Sequence, residues 1–278
     1  MGRYSGSCIE ITLIGSIAAL LGGIALNGIR GSGTQGQPAQ NQTTQRPHVR
    51  YNFEEDYKYR GLESEFRNPS SKYYLGPDKE EADDIDSLGV GMIMDSSGSM
   101  KGEKMDAAKS TAIKFLGRLD GLKKKGRKVK AGLLYFTNNG DGFEFASHME
   151  AFDYRKLAEI VRRLEANGGT PLGLSTAAMH RELKKTCCDR RIVGYTDGKN
   201  EGGERPEYIV YGIMGSETKS QVYWVGFQVD ESDLKRMEDA GAHVFKAESA
   251  EELDEAFNTI AGMLESTEEV PLKTEDKK

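Results

Sequence analysis

The sequence predicts an α/β protein in which a Rossmann-like, doubly wound and mostly parallel sheet carries helices on both faces. From Gly89 onward, short apolar runs alternate with longer segments whose apolar residues recur at helical spacing, the pattern of a parallel sheet with crossover helices. Two of the apolar runs end in polar, glycine-containing loops, where open α/β sheets place their binding residues. A transmembrane helix is expected to precede this domain.

Strands and helices are predicted to follow one another through this region. The predicted strands cover residues 90–94, 130–136, 143–146, 192–195, 222–227 and 243–246. The predicted helices cover residues 104–119, 154–166, 172–185, 206–214, 232–240 and 250–264. The third strand is short and follows an Asn/Gly-rich turn, so it is expected to pair antiparallel with the second strand at an edge of the sheet.

An Asp-x-Ser-x-Ser sequence, formed by Asp95, Ser97 and Ser99, follows the first predicted strand. It places one carboxylate and two hydroxyls on a single tight loop, because Gly98 bends without a steric penalty. Hard oxygen ligands of this kind suit Mg²⁺, Mn²⁺ or Ca²⁺ rather than zinc. Ser/Gly-rich turns after strands are also common, so the motif alone leaves a plain turn open as the alternative.

Two distant segments add the remaining oxygen ligands. Thr170 lies in a Gly-Gly-Thr-Pro sequence just before a predicted helix, and Asp197 lies in a Tyr-Thr-Asp-Gly sequence that ends an apolar run. With these segments, residues 88–264 resemble a von Willebrand factor A domain with a metal-ion-dependent adhesion site. The resemblance implies that one divalent cation is surrounded by five residues, namely Asp95, Ser97, Ser99, Thr170 and Asp197. A relative of the same fold with an inactive site is the alternative.

The resemblance also implies a function. In that family a partner protein's Asp or Glu carboxylate fills the open position on the cation, so this chain is expected to bind a protein ligand with Mg²⁺ (or Mn²⁺ or Ca²⁺) as its cofactor. Asp95 and Asp197 together balance a divalent charge, which leaves the ion strongly attractive to an incoming anion. The alternative is an intracellular scaffold or adaptor for a AAA-type ATPase or a chelatase-like complex, built on the same fold.

Composition and missing motifs argue against other classes of function. The net charge of −6 and the pI near 5.5 argue against nonspecific nucleic-acid binding. The sequence shows no matched general base, nucleophile elbow or phosphate-binding loop, so the chain is expected not to be an enzyme. The three cysteines, Cys8, Cys187 and Cys188, form neither a disulfide framework nor a zinc motif.

Residues 11–29 are predicted to be a single-pass transmembrane anchor that follows a short tail, residues 1–10. These 19 residues carry no charge, and at about 1.5 Å per residue they come close to crossing a bilayer core. A cleaved signal peptide is the main competitor, but the run is long for one and no A-x-A site follows. Gly15, Ala19 and Gly23 form a small-residue stripe through which two anchors could associate.

The remaining segments are predicted to flank the domain. Residues 30–50 are polar and resemble a flexible linker. Residues 265–278 are predicted to be an acidic disordered tail. Residues 51–87 form a charged, tyrosine-rich extension that either packs on the domain or stays partly disordered. The unpaired cysteines favour a cytoplasmic domain, but the scarcity of Lys and Arg just after the anchor favours export, and we expect the domain to be extracytoplasmic.

Overall fold

A single six-stranded sheet organises the domain in the computed structural model, which describes residues 61–77, 86–139, 142–186, 189–201, 204–229 and 232–266. The strands are β1 (Leu88–Met94), β2 (Val129–Phe136), β3 (Phe143–Ala151), β4 (Asp189–Thr196), β5 (Gln221–Phe227) and β6 (His243–Ala247). The helices are α1 (Glu63–Arg67), α2 (Glu103–Lys124), α3 (Tyr154–Arg163), α4 (Leu172–Thr186), α5 (Pro206–Gly215), α6 (Ser232–Asp239) and α7 (Ala250–Glu265).

The strand order is β3-β2-β1-β4-β5-β6, and every pair except β2–β3 is parallel. The predicted α/β class, the mostly parallel sheet and the antiparallel edge strand are therefore confirmed. β1 lies at the centre and is buried along its whole length, as expected for a parallel strand covered on both faces.

Helices cover both faces of the sheet. On one face, side chains of α2, α3 and α7 pack around β1 residues such as Val90 and Met92. On the other face, side chains of α4, α5 and α6 pack against Ile93 from the same strand. Because successive side chains of a strand point to opposite faces, one apolar run contributes to both cores.

The first long helix, α2, continues to Lys124, about one turn beyond the predicted end at residue 119. In the sequence, the charged side chains of its last turn are typical of a loop. In the structure Leu122 of this turn is buried, and the Lys123 ammonium donates to the Phe152 carbonyl oxygen at 2.7 Å. These tertiary contacts stabilise a helical turn that local composition alone does not indicate.

Strand β3 and helix α3 also differ from their predicted lengths. β3 has nine residues, and its pairing with β2 is interrupted by register shifts, so its side chains do not keep the simple alternation that marks a strand. α3 ends at Arg163 instead of residue 166, because Leu164 takes a non-helical backbone conformation. The residues after Leu164 therefore belong to the loop that carries Thr170.

Part of the predicted extension, residues 61–77, packs on the domain. Phe66 and Leu75 are buried against α4 and α5. They lie directly over Gly212, where an added Cβ atom would come within 2.7 Å of Leu75 and 2.8 Å of Phe66. Arg181 of α4 donates to the Tyr74 carbonyl oxygen at 2.6 Å. This part of the extension therefore belongs to the folded domain.

Replacing Leu75 by alanine is expected to lower the free energy of unfolding by about 2–4 kcal/mol, since it removes a buried side chain from a closely packed contact. Urea unfolding followed by circular dichroism measures the change. Met263→Ala is the matched control, because Met263 is exposed and its loss is expected to have little effect. Equal stabilities of the two variants would contradict the packing role of residues 61–77.

The predicted membrane anchor, residues 11–29 with Gly15, Ala19 and Gly23, lies outside the described residues. The predicted linker, residues 30–50, and most of the predicted tail lie outside them as well. Among the helices that the structure describes, none combines the length and the apolar character needed to cross a membrane.

Candidate metal centre

The candidate site lies at the carboxyl edge of the sheet, where β1 and β4 end side by side. The two strands pair in parallel with Met94 opposite Tyr195, so the loops that follow them leave the sheet together. Asp95 follows β1 directly, and Asp197 follows β4 directly. The strand register therefore brings together two carboxylates that are 102 positions apart in the chain.

The Asp95 carboxylate joins the two loops and is fully buried. Its Oδ1 accepts a hydrogen bond from the backbone N–H of Ser97 at 2.8 Å. Its Oδ2 accepts from the Thr196 hydroxyl at 2.6 Å and, at 3.4 Å, from the backbone N–H of Asp197. These bonds fix the orientation of the carboxylate at the centre of the site.

The two serines of the motif connect Asp95's loop to Asp197. The hydroxyl oxygens of Ser97 and Ser99 lie 2.9 Å apart. The Ser99 hydroxyl donates to Asp197 Oδ1 at 2.7 Å, and the Lys104 ammonium donates to Asp197 Oδ2 at 2.5 Å. Four of the five predicted ligands thus belong to one hydrogen-bonded cluster.

Backbone hydrogen bonds hold the loop before Thr170 against the Asp-x-Ser-x-Ser loop. The Ser96 carbonyl oxygen accepts from the N–H groups of Asn167 and Gly168 at 2.7 and 2.8 Å. The Gly98 N–H donates in turn to the Gly168 carbonyl oxygen at 3.1 Å. A Cβ atom at Gly168 would lie only 2.6 Å from the carbonyl carbon of Phe136, so this close approach requires glycine.

Thr170, the fifth predicted ligand, is buried beside the Asp197 loop. Its hydroxyl oxygen would lie 3.2 Å from a Cβ atom built on Gly198, the residue after Asp197. Its carbonyl oxygen accepts from the N–H groups of Leu172 and Glu201 at 3.0 and 2.9 Å. The structure therefore places all five predicted residues at one edge, with the Thr170 side chain beside Gly198 and the other four residues linked by hydrogen bonds.

Burial dominates the electrostatics of the site. It raises the pKa of Asp95 from 3.8 to about 6, and hydrogen bonds from Ser97 and Thr196 offset only part of that rise. Burial also raises the pKa of the Tyr195 hydroxyl well above its usual value, with the nearby Asp95 and Asp197 carboxylates adding to the effect. The site is thus a desolvated region of negative charge.

This donor set fits a divalent cation. Among the described residues, no lysine or arginine donates to Asp95, so its buried charge has no cationic hydrogen-bond partner there. Two carboxylates and three hydroxyls are hard oxygen donors of the kind that Mg²⁺, Mn²⁺ and Ca²⁺ accept. Within the same residues, no three His, Cys, Asp or Glu side chains are grouped to hold a metal, so the hydroxyls are essential to this set.

The raised pKa of Asp95 predicts a pH effect on the metal-free protein. The folded-state pKa of Asp95, about 6, lies above the unfolded value of about 3.9, so protonation of Asp95 stabilises the folded protein. This contribution to the free energy of unfolding is complete below about pH 4 and is lost as the pH rises through about 6. Asp95→Asn removes this titration. The stability difference between that variant and wild type is expected to shrink by about 1.4 kcal/mol from about pH 7.5 to about pH 5 in EDTA. A difference that stays constant in urea unfolding would contradict the effect.

Two residues of the site, Thr196 and Lys104, were not predicted from the sequence. The Thr196 hydroxyl binds Asp95 from 101 positions away, and nothing in its local sequence marks that contact. Lys104 carries a weak signal, because it is a cation in the first turn of α2, where the helix dipole favours acidic side chains. A basic residue at that position indicates a partner outside the helix.

Comparison with known proteins identifies the family that the sequence motifs resemble. The family model of the von Willebrand factor type A domain matches residues 90–259. An uncharacterized protein from Synechocystis sp. is 29% identical over 156 residues, which cover 53% of this chain and 34% of that protein. The chain therefore spans about a third of that relative's length.

Solved structures with a similar fold include bacterial examples. A von Willebrand factor type A protein from Catenulispora acidiphila has a TM-score of 0.51 and 23% identity, covering 63% of this chain and 42% of that one. The pilus adhesin SpaC from Lactobacillus rhamnosus GG has a TM-score of 0.51 and 13% identity, with coverages of 66% and 31%. The corresponding domain of the type V pili tip protein Mfa5 from Porphyromonas gingivalis gives 0.50 and 13%, with coverages of 65% and 95%. At these identities the likeness is one of fold.

Proposed function

Because the chain belongs to the von Willebrand factor type A domain family, we propose that its domain binds a protein partner through a divalent cation at the carboxyl edge of the sheet. The observation that carries this proposal is the cluster in which Asp95, Ser97, Ser99 and Asp197 are linked by hydrogen bonds across loops about a hundred residues apart. Thr170 lies beside the cluster and completes the oxygen donors.

In the proposed mechanism, Asp95 and Asp197 supply the negative charge that holds the cation. The hydroxyls of Ser97, Ser99 and Thr170 supply neutral oxygens, so the total ligand charge stays at −2. A divalent cation held by these residues would supply the Lewis acidity that binds a carboxylate from an Asp or Glu of the partner protein. Burial of the carboxylates strengthens this attraction, because charges interact more strongly where water is excluded.

The kinds of protein that share this fold support a binding role. SpaC is a pilus adhesin, and Mfa5 is a tip protein of type V pili. We extend that role to this chain as protein binding in general, with no particular partner implied. The adaptor role for a AAA-type ATPase predicts binding that does not depend on the cation, since such an interaction need not pass through the metal.

The proposal includes the predicted membrane attachment. Residues 11–29 would anchor the chain, and the domain would face the extracytoplasmic side, where a partner on another surface is accessible. Extraction of membranes at high pH tests the anchor, because an integral segment stays in the pellet. Trypsin added to intact cells tests the orientation, since an external domain is digested and a cytoplasmic one is protected.

A chelator experiment tests the proposed function. The full chain, immobilised in Mg²⁺, captures partners from its own cells, and EDTA is expected to release them. Asp95→Asn is expected to capture none of the EDTA-released proteins. Asp106→Asn is the matched control, since Asp106 is exposed on α2 and lies outside the hydrogen-bonded cluster. Partners that remain bound in EDTA and bind equally to Asp95→Asn would favour the adaptor role instead.

A partner that EDTA releases is then tested for the single carboxylate that the proposal requires. Substitution of its surface Asp and Glu residues, one at a time, is expected to identify a single carboxylate whose loss abolishes binding. A partner whose binding tolerates the loss of every such carboxylate would contradict the metal-bridged contact.

A further inference from the structure

Lys104 contacts the proposed metal site directly. Its ammonium lies 2.5 Å from Asp197 Oδ2, and the Asp197 side chain is fully buried, whereas Lys104 is 29% exposed. The other Asp197 oxygen, Oδ1, accepts the Ser99 hydroxyl at 2.7 Å. Both oxygens of this carboxylate are therefore engaged, one of them by a positive charge.

The position of Lys104 in α2 does not favour a lysine for helical reasons. It is the second residue of the helix, where the positive end of the helix dipole repels cations. Glu103 and Asp106 in the same turn follow the usual acidic preference. The Asp197 carboxylate therefore explains a lysine here better than the helix does.

The charge of the site follows from these contacts. Asp95 and Asp197 contribute −2 and Lys104 contributes +1, which leaves −1 before any ion binds. A divalent cation changes the total to +1, and a single carboxylate from a partner restores neutrality. Without Lys104, the cation alone would already neutralise the site.

We propose that Lys104 is a built-in counter-ion that weakens divalent-cation binding and makes it depend on an acidic partner. This inference rests on the proposed function, because it concerns the same site. Repulsion between Lys104 and the cation lowers the affinity of the free domain for the metal. A partner carboxylate offsets that repulsion, so metal and partner each strengthen the binding of the other by the same factor.

Calorimetric titration of the full chain with Mn²⁺ tests the role of this charge. Lys104→Gln keeps a hydrogen-bond donor for Asp197 and removes the charge, so it is expected to bind Mn²⁺ up to about fivefold more tightly than wild type, the size of one partly exposed charge interaction. Lys104→Arg keeps the charge and is expected to bind as wild type does. Lys101→Gln is the matched control, because Lys101 is an exposed lysine three residues earlier.

The outcomes separate this inference from the proposed function. Equal or weaker Mn²⁺ binding by Lys104→Gln, with normal binding by wild type, overturns the role of Lys104 and leaves the metal site intact. Failure of both wild type and Lys104→Gln to bind Mn²⁺ overturns the proposed function, and the inference with it.

A second measurement uses the wild-type chain and does not depend on how a variant folds. Because the repulsion acts in both directions, bound Mg²⁺ is expected to weaken the contact between Lys104 and Asp197. Acylation of lysines by an amine-reactive ester, read by mass spectrometry, is then expected to be faster at Lys104 with Mg²⁺ than with EDTA. The rate at Lys101 is expected to stay the same. An unchanged rate at Lys104 overturns the inference.

Discussion

Replacing Asp95 by asparagine is expected to abolish divalent-cation binding and, at the same time, to make the metal-free protein more stable. The carboxylate is fully buried, and its pKa of about 6 reflects the cost of keeping that charge away from water. Asparagine has the same shape without the charge. Near neutral pH the expected gain is about 1–3 kcal/mol, because the rise in pKa corresponds to about 3 kcal/mol and the two hydrogen bonds disturbed at Oδ2 offset part of it.

The hydrogen bonds around Asp95 set that offset. The asparagine carbonyl oxygen still accepts from the Ser97 N–H, but its NH₂ group faces the Thr196 hydroxyl, which must then accept instead of donate. The Asp197 N–H, which donates to the same oxygen of Asp95 at 3.4 Å, loses its acceptor. Urea unfolding in EDTA measures the gain in stability, and calorimetry with Mn²⁺ measures the loss of binding. Asp106→Asn, an exposed substitution, is expected to leave Mn²⁺ binding unchanged and to lower the stability by less than about 1 kcal/mol, because it removes a favourable charge from the first turn of α2. A less stable Asp95→Asn variant that still binds Mn²⁺ would contradict both parts of the prediction.

Replacing Gly168 by alanine is expected to destabilise the protein by about 2–3 kcal/mol, as overpacking against fixed atoms does. The added Cβ atom would lie 2.6 Å from the Phe136 carbonyl carbon and 2.7 Å from the Thr137 nitrogen. Both are backbone atoms, so the loop must move away from β2. That movement would also shift Thr170, two residues later, and weaken cation binding.

Gly98→Ala is the matched control for Gly168→Ala. Gly98 belongs to the neighbouring loop of the same site, and an added Cβ atom there would meet no atom within 4 Å. Thermal unfolding and Mn²⁺ calorimetry of the two variants are compared under the same conditions. If Gly98→Ala is as damaging as Gly168→Ala, the close approach of Gly168 to β2 is not what holds the Thr170 loop.

The site-bearing strands could be predicted because their sequence pattern and their environment agree. Residues 90–94 and 191–194 are short, mostly apolar runs, as a central parallel strand requires, and each is followed closely by an aspartate. Parallel pairing then brings Asp95 and Asp197 to one edge whatever the length of the intervening chain. The edge that carries both carboxylates thus follows from the fold class, and their closeness follows from the pairing of β1 with β4.

Other features depend on contacts that leave no local mark in the sequence. Residues 61–77 can dock on the domain because Gly212 has no side chain at the point of contact. In the sequence, a glycine within a helix indicates only weak helix propensity and not a docking site. The last turn of α2 depends on the Phe152 carbonyl oxygen, which accepts from Lys123 29 positions earlier. The partner of Lys104 is Asp197, 93 positions away, and the place of the lysine in the first helical turn does not identify that partner. In each case the determining partner is distant in the chain.

Anomalous diffraction at the manganese absorption edge, from crystals of the protein soaked in Mn²⁺, shows directly where the cation binds. One strong peak is expected at the carboxyl edge of the sheet, in contact with oxygen atoms of Asp95, Ser97, Ser99, Thr170 or Asp197, directly or through water. A peak elsewhere on the molecule, or no peak at saturating Mn²⁺, would contradict a metal-bridged binding site at these residues.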